Sequence, residues 1–276
     1  MKTPRIRSVN VLELDQAIFD STYQISLEIA NMLNASLHVS MLHTKEQREF
    51  YDAVYGSDFS QSQEVNENQI SRILSEIKKR GGLLDFGFSM DHFNEEDSIR
   101  QIFGKLSPEE SLSVLGYNKS PKHQKILKKL LKHDLGNPIM LIPMGKKVEN
   151  FYKLIVPFDP EFITKRKLMN LKWYADQFGV MIDFVHFKKT SVEAEQNQLK
   201  EVYDMIFEWV NTIGFSNKVQ FRFPIANSLN AGLKDYLKDQ SNYLLCILDN
   251  QIKKAICTSS SSNECLTDIK EPVVIL

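Results

Sequence analysis

No apolar run in this sequence of 276 residues approaches the ~20 that a membrane-spanning helix needs. Net charge is scarce too. Lysine and arginine total 34 against 35 aspartates and glutamates, a formal charge of −1. A chain so balanced has no overall field with which to grip nucleic acid or anionic lipid. Cysteine is rare: Cys246, Cys257 and Cys265 are odd in number and lack a C-x-x-C spacing. They read as reduced thiols, with Cys246 a small apolar residue in a buried strand. The opening MKTPRIRSVNVLELD carries Glu13 and Asp15 where a signal peptide needs its apolar centre. A cytoplasmic protein with no membrane association is expected.

Signs of catalysis are also missing. No Ser-His-Asp or Cys-His spacing stands out, and the carboxylates are scattered without a pair. His43 and His186 end equivalent segments, but neither has an i,i+4 partner or a carboxylate cluster, so both read as structural rather than metal ligands. Lys122, His123, Lys125, Lys128, Lys129, Lys132 and His133 form a basic stripe on an expected helix over 121–134. Such a run reads as a solvated face. It lacks the interleaved aromatics of a stacking surface, so nucleic acid is not an expected partner. No metal is expected and no enzyme.

What the sequence does have is a repeated pattern of short apolar runs and helical periods. Residues 153–187 show it best. Leu154 to Phe158 is too short for a helix and rich in Val, Ile and Phe, the pattern of a strand buried on both faces. Asp159-Pro160 stops it. Leu168, Leu171, Tyr174 or Ala175, and Phe178 then recur at helical spacing. Gly179 stands where a helix C-terminal glycine belongs. Val180 to Phe187 is a second apolar run. Strand, helix and strand with short links make a right-handed βαβ unit with parallel strands.

The pattern occurs twice. Ser8 to Leu14 is a strand, Ile18, Thr22, Ile25, Ile29 and Leu33 mark a helix face, and Ala35 to His43 is the next strand. Leu83 to Phe88 reads as a third strand, Glu95 to Phe103 as a short helix, and Leu112 to Leu115 as a fourth strand ended by Gly116. Residues 139–142 are the fifth. In the second half, Leu199 to Ile213 is a helix stopped by Gly214, and Lys218 to Phe223 is a strand. Ala226 to Leu237 is a helix with an interior glycine, Gly232. Tyr243 to Leu248 and the run after Pro272 are the last strands. The two halves close alike, with Asn137-Pro138-Ile139-Met140-Leu141-Ile142 and Glu271-Pro272-Val273-Val274-Ile275-Leu276. The expectation is α/β, two tandem Rossmann-like αβα sandwiches over 1–145 and 151–276, each with a parallel five-stranded sheet.

At this point the residues resemble a known family. Ile155-Val156-Pro157-Phe158-Asp159, Val185-His186 and the closing Glu271-Pro272-Val273-Val274-Ile275-Leu276 are similar to a universal stress protein domain, and 1–145 looks like a more divergent copy. The resemblance implies the strand order 3-2-1-4-5 of an adenine nucleotide alpha hydrolase-like fold. It also implies that the two final strands pair, here within one chain as a pseudo-dimer, with homo-oligomers or a protein partner beyond that.

In such sheets a ligand sits beyond the carboxyl ends of the strands, where strand order reverses. The resemblance implies an Asp after strand one, Asp15 and Asp159 here, and after strand four a glycine pattern ending in Gly-Ser. Glycines let backbone amides approach phosphate oxygens. This sequence departs from that pattern. Leu248 stands where the first glycine belongs, and Ser259-Ser260 replaces the Gly-Ser pair. In the first half Gly116 survives, followed by Tyr117-Asn118-Lys119, but Lys119 takes the second glycine. The candidate binding residues are therefore Asp15, Gly116, Asn118, Asp159, Ser259 and Ser260. The expected function is non-catalytic stress response through a partner or a small polar ligand, with the nucleotide site lost and no cofactor. The alternative is an ATP-binding member with nucleotide-regulated or slow ATPase activity, holding nucleotide at Gly116 and Asn118.

Overall fold

The structure, a computed structural model, describes residues 6–13, 16–43, 88–94, 110–118, 120, 123, 127, 138–146, 151–188, 193–248 and 271–276. In chain order the elements are β1 (Ser8–Glu13), α1 (Gln16–Leu33), β2 (Ser36–His43), β3 (Phe88–Asn94), β4 (Ser111–Tyr117), β5 (Ile139–Pro143) and β6 (Lys153–Pro157). A 3-10 turn (Pro160–Phe162) follows, then α2 (Lys165–Phe178), β7 (Met181–Val185), α3 (Glu193–Ile213), β8 (Val219–Arg222), α4 (Leu229–Lys238), β9 (Tyr243–Ile247) and β10 (Val273–Ile275). The class is α/β with mostly parallel strands. No described helix is long and apolar enough to cross a membrane. The chain divides into two compact units, one chiefly Arg5–Gly116, the other Tyr117–Asp134 with Pro138–Leu276.

In the first unit the strands run β3-β2-β1-β4, all parallel. Val9 lies beside Leu37 on one side and Leu112 on the other. All three are fully buried, as parallel strands covered on both faces must be. Helix α1 contributes Ile25, Ile29, Ala30 and Leu33 to this core. It ends at Asn34, which takes a left-handed φ of +50°, a conformation asparagine tolerates at a helix end. The N–H of Ala35 then closes back on the Ala30 carbonyl at 2.9 Å.

Two expectations are corrected in this unit. The third strand as described is Phe88–Asn94, where 83–88 is expected and 83–87 lie outside the described residues: Phe88 pairs with Leu37 and Asn94 with His43. Its polar Asp91, His92 and Asn94 hide it from a search for apolar runs, and pairing with β2 from Leu37 to His43 fixes it instead. Gly116 does not end the fourth strand. β4 continues through Gly116 to Tyr117, and all of Ser111–Tyr117 is buried. The expected helices around 70–77 and 95–103 lie outside the described residues.

In the second unit the strands run β5-β10-β9-β6-β7-β8. Counted within 153–275, that is third, second, first, fourth and fifth, read from β8. Every pair is parallel except β5 with β10, where Leu141 faces Val273 and Ile139 faces Ile275. Lys146 and Glu271, just outside those two strands, join through a 2.8 Å ion pair.

Local sequence signals are realised here. Thr164 caps α2 by accepting the Lys167 N–H at 3.3 Å, and Gly179 closes it at φ +63°. Ser228 caps α4 through the Ala231 N–H. Leu168, Leu171, Tyr174 and Ala175 are the buried face of α2. The core centres on Phe184, stacked on Phe221 at 4.9 Å and meeting Phe158 edge-on at 5.7 Å. Phe207 of α3 adds an edge to Phe221 at 4.6 Å.

Gly232, which lowers helix propensity by ~1 kcal/mol relative to alanine, has a packing reason. A Cβ there would fall 2.4 Å from Phe187 Cδ1 and 2.6 Å from the Ala226 Cβ. The bare backbone lets α4 lie directly on Phe187. Gly232→Ala is therefore expected to destabilise by about 1–3 kcal/mol despite its better helix propensity, read as a lower denaturation midpoint in urea. A rise would show that Phe187 yields freely.

Candidate functional site

The carboxyl ends of β6, β7 and β8 gather the most chemically varied side chains among the described residues. The chain leaves β6 at Phe158-Asp159. Asp159 caps the 3-10 turn, its Oδ1 accepting the Glu161 N–H at 3.1 Å, with Pro160 at the first position. Its carboxylate is thus held in place beside the strand end.

His186 follows β7. Its backbone N–H donates to the Arg222 carbonyl, and the Phe158 N–H donates to the Val185 carbonyl, so the three strand ends continue side by side. The His186 Nδ1 lies 3.1 Å from the Phe158 carbonyl oxygen. A carbonyl can only accept, so Nδ1 carries the proton and Nε2 is the free acceptor. The ring packs on Phe158 at 5.7 Å and on Tyr203 of α3 at 6.0 Å. Burial lowers its pKa from the usual value. The Phe158 bond and Asp159 oppose that shift, and Lys188 adds to it.

The stability consequence has a definite sign. An unfolded histidine takes its proton near pH 6.5, whereas the folded His186 takes it only at lower pH. Between those values the unfolded state binds more protons, so stability falls as pH falls, and the slope ends once both states are protonated. His186→Gln should flatten the fall in melting temperature just below pH 6.5. An unaltered pH profile would contradict this.

Lys188, two residues on, projects to the same side as His186. Its Nζ sits 4.8 Å from the Phe223 ring centroid and 5.9 Å from that of Tyr203. Tyr203 and Phe223 meet edge to face at 5.1 Å. The Tyr203 hydroxyl is buried without a hydrogen-bond partner. Burial, assisted by the Asp159 charge, pushes its pKa up to about 12, so it remains a donor at neutral pH.

On the other face of β7, Asp183 is almost fully buried, accepts the Tyr236 hydroxyl at 2.7 Å and lies 3.6 Å from Arg222 Nε. This network ties α4 to the sheet.

The segment after β4 is differently arranged. The Ser120 N–H donates to Asn118 Oδ1 at 2.8 Å, the His123 N–H to Ser120 Oγ at 3.3 Å, and the Asn118 N–H to His123 Nδ1 at 3.2 Å. Asn118 makes a side-chain turn and Ser120 a helix cap. His123 is fully buried, which corrects its place on a solvated basic stripe. Histidine alone in that stripe can accept a backbone N–H while neutral, a distinction that charge patterning cannot draw. The remaining residues of the stripe lie outside the described residues.

Of the six candidate residues, Asp159 is placed at the β6 end, Asn118 in this closed turn, and Gly116 inside β4. Asp15, Ser259 and Ser260 lie outside the described residues, as do Cys257 and Cys265. Cys246 is buried in β9, where burial raises its pKa well above the usual thiol range. Sequence reading missed Lys188, Tyr203 and Phe223. The signal was there, since Lys188 continues the strand two places beyond His186. Among the described residues no group of three or more His, Cys, Asp or Glu could hold a metal ion.

Comparison with solved structures decides the fold. A universal stress protein from Archaeoglobus fulgidus DSM 4304 matches with a TM-score of 0.59 at 13% identity, over 98% of this chain and 96% of that one. The chain has the universal stress protein fold. PA1789 from Pseudomonas aeruginosa PAO1, a protein of unknown function, matches with a TM-score of 0.58 at 11% identity, covering 98% and 92%. No protein-family model and no curated protein matches the sequence. The expected site lies where strand order reverses, between the carboxyl ends of β6 and β9; Asp159 follows β6, whereas His186 and Lys188 follow β7 on its other side.

Proposed function

We propose that this chain acts in stress response as a non-catalytic universal stress protein. It works by binding a partner or a small polar ligand, with its nucleotide site lost. The observation that carries this reading is the turn after β4. A phosphate cradle needs free backbone amides pointing at the anion. Here the amides of Asn118, Ser120 and His123 are each spent on a side chain of the same turn. Gly116, the glycine that would loosen such a loop, sits in a buried strand instead. The stress-response role rests on likeness of fold, and the absence of turnover on the absence of a nucleophile–base pair in the sequence. The antiparallel β5–β10 pair supports reading the two final strands as a joint made within one chain.

The test is mass spectrometry of the denatured, freshly purified protein. Release of no adenine nucleotide is expected. Stoichiometric ATP or ADP would favour the nucleotide-regulated alternative.

A further inference from the structure

The cluster at the ends of β6, β7 and β8 leaves four groups uncommitted. Lys188 rests on two aromatic rings and has no oxygen acceptor among the described residues. The Tyr203 hydroxyl is buried and unpartnered. His186 uses Nδ1 only, and Asp159 uses Oδ1 only. Spacing makes these groups one set. His186 and Lys188 lie on one side of the same extended segment and share Tyr203 as a neighbour. Asp159, the cap of the turn after β6, directly follows the carbonyl that holds His186, and its charge acts on both His186 and Tyr203. The Asp159 carboxylate and the Lys188 ammonium thus share His186 and Tyr203 as neighbours, with Phe223 and Tyr203 as an apolar wall.

We infer that Asp159, Lys188 and Tyr203, backed by Phe223, form a site for a small zwitterion, a free α-amino acid with an apolar or aromatic side chain. The ligand carboxylate accepts from Lys188 Nζ and the Tyr203 hydroxyl. The ligand ammonium donates to Asp159, and the side chain lies on Phe223. A single anion would meet the Asp159 charge, and a single cation the Lys188 charge. Only a ligand carrying both signs satisfies the set. This names the ligand class for the small-ligand part of the function proposed above and rests on it.

The experiment is isothermal titration of the full chain with L-phenylalanine, 3-phenylpropionate, which lacks the ammonium, and phenethylamine, which lacks the carboxylate. Saturable binding of L-phenylalanine is expected, with both analogues at least tenfold weaker. Lys188→Met should weaken L-phenylalanine at least tenfold and should not weaken phenethylamine. Asp159→Asn should likewise weaken L-phenylalanine at least tenfold and should not weaken 3-phenylpropionate. Lys188→Gln is the second variant should Lys188→Met fail to fold. No heat with L-phenylalanine, or equal affinity for all three compounds, would overturn the inference. ATP is titrated in parallel: its binding counts against the lost nucleotide site, whereas absence of both bindings counts against the amino-acid site alone.

Discussion

A chain ending at Glu271 should fail to fold its second unit. β10 is short, but it lies between β9 and β5 and bonds to both. Val273, Val274 and Ile275 are all buried, and so are the Leu245, Cys246 and Ile247 they pair with and the Ile139, Met140 and Leu141 on the other side. Burial of three such side chains contributes roughly 5–8 kcal/mol. That is comparable to the whole stability of a typical domain, ~5–15 kcal/mol. The deletion also opens two apolar strand edges at once, the usual template for aggregation. The Lys146–Glu271 ion pair at the strand ends cannot replace those contacts. Deletion of Pro272–Leu276 is expected to give insoluble protein, or soluble protein without a cooperative melt. A melting temperature equal to that of the full chain would remove β10 from its structural role.

The largest single-residue effect should come from Phe184→Ala. Phe184 is fully buried at the centre of the second unit. It stacks on Phe221 and receives the edge of Phe158, which in turn packs on His186. Truncation removes the ring and leaves a cavity lined by other rings, which collapse poorly because each is held by further neighbours. The expected loss is about 3–5 kcal/mol, measured by urea denaturation of the full chain. Phe184→Leu should recover part of it by refilling volume. A loss below about 1 kcal/mol would mean that the aromatic cluster is not packed as described.

How much of this was legible beforehand depended on the kind of signal. Parallel strands covered on both faces leave long apolar runs, so β1, β2, β4, β6, β7 and β9 showed plainly. The end of α2 followed from Gly179 because a helix C-cap is local chemistry; the Thr164 cap at its start was as local but was not read. β3 was misplaced because it sits at the edge of its sheet in the first unit, and its sequence FSMDHFN has no continuous apolar run. The reason for Gly232 was invisible, since it depends on Phe187, distant in sequence. At the candidate site, Asp159 was found through its position after a strand. Tyr203 and Phe223 were not, because tertiary packing rather than spacing brings them to His186 and Lys188. His123 was misread for the same reason: a buried acceptor and a solvated cation look alike in a row of letters.

The most direct test of the lost phosphate site is a thermal melt of the full chain with ATP, ADP or AMP and Mg²⁺, from micromolar to millimolar nucleotide. A ligand that binds only the folded state raises its stability by mass action. With the amides after β4 turned inward on Asn118, Ser120 and His123, the melting temperature should not move. A rise of several degrees at near-micromolar ATP would contradict the account.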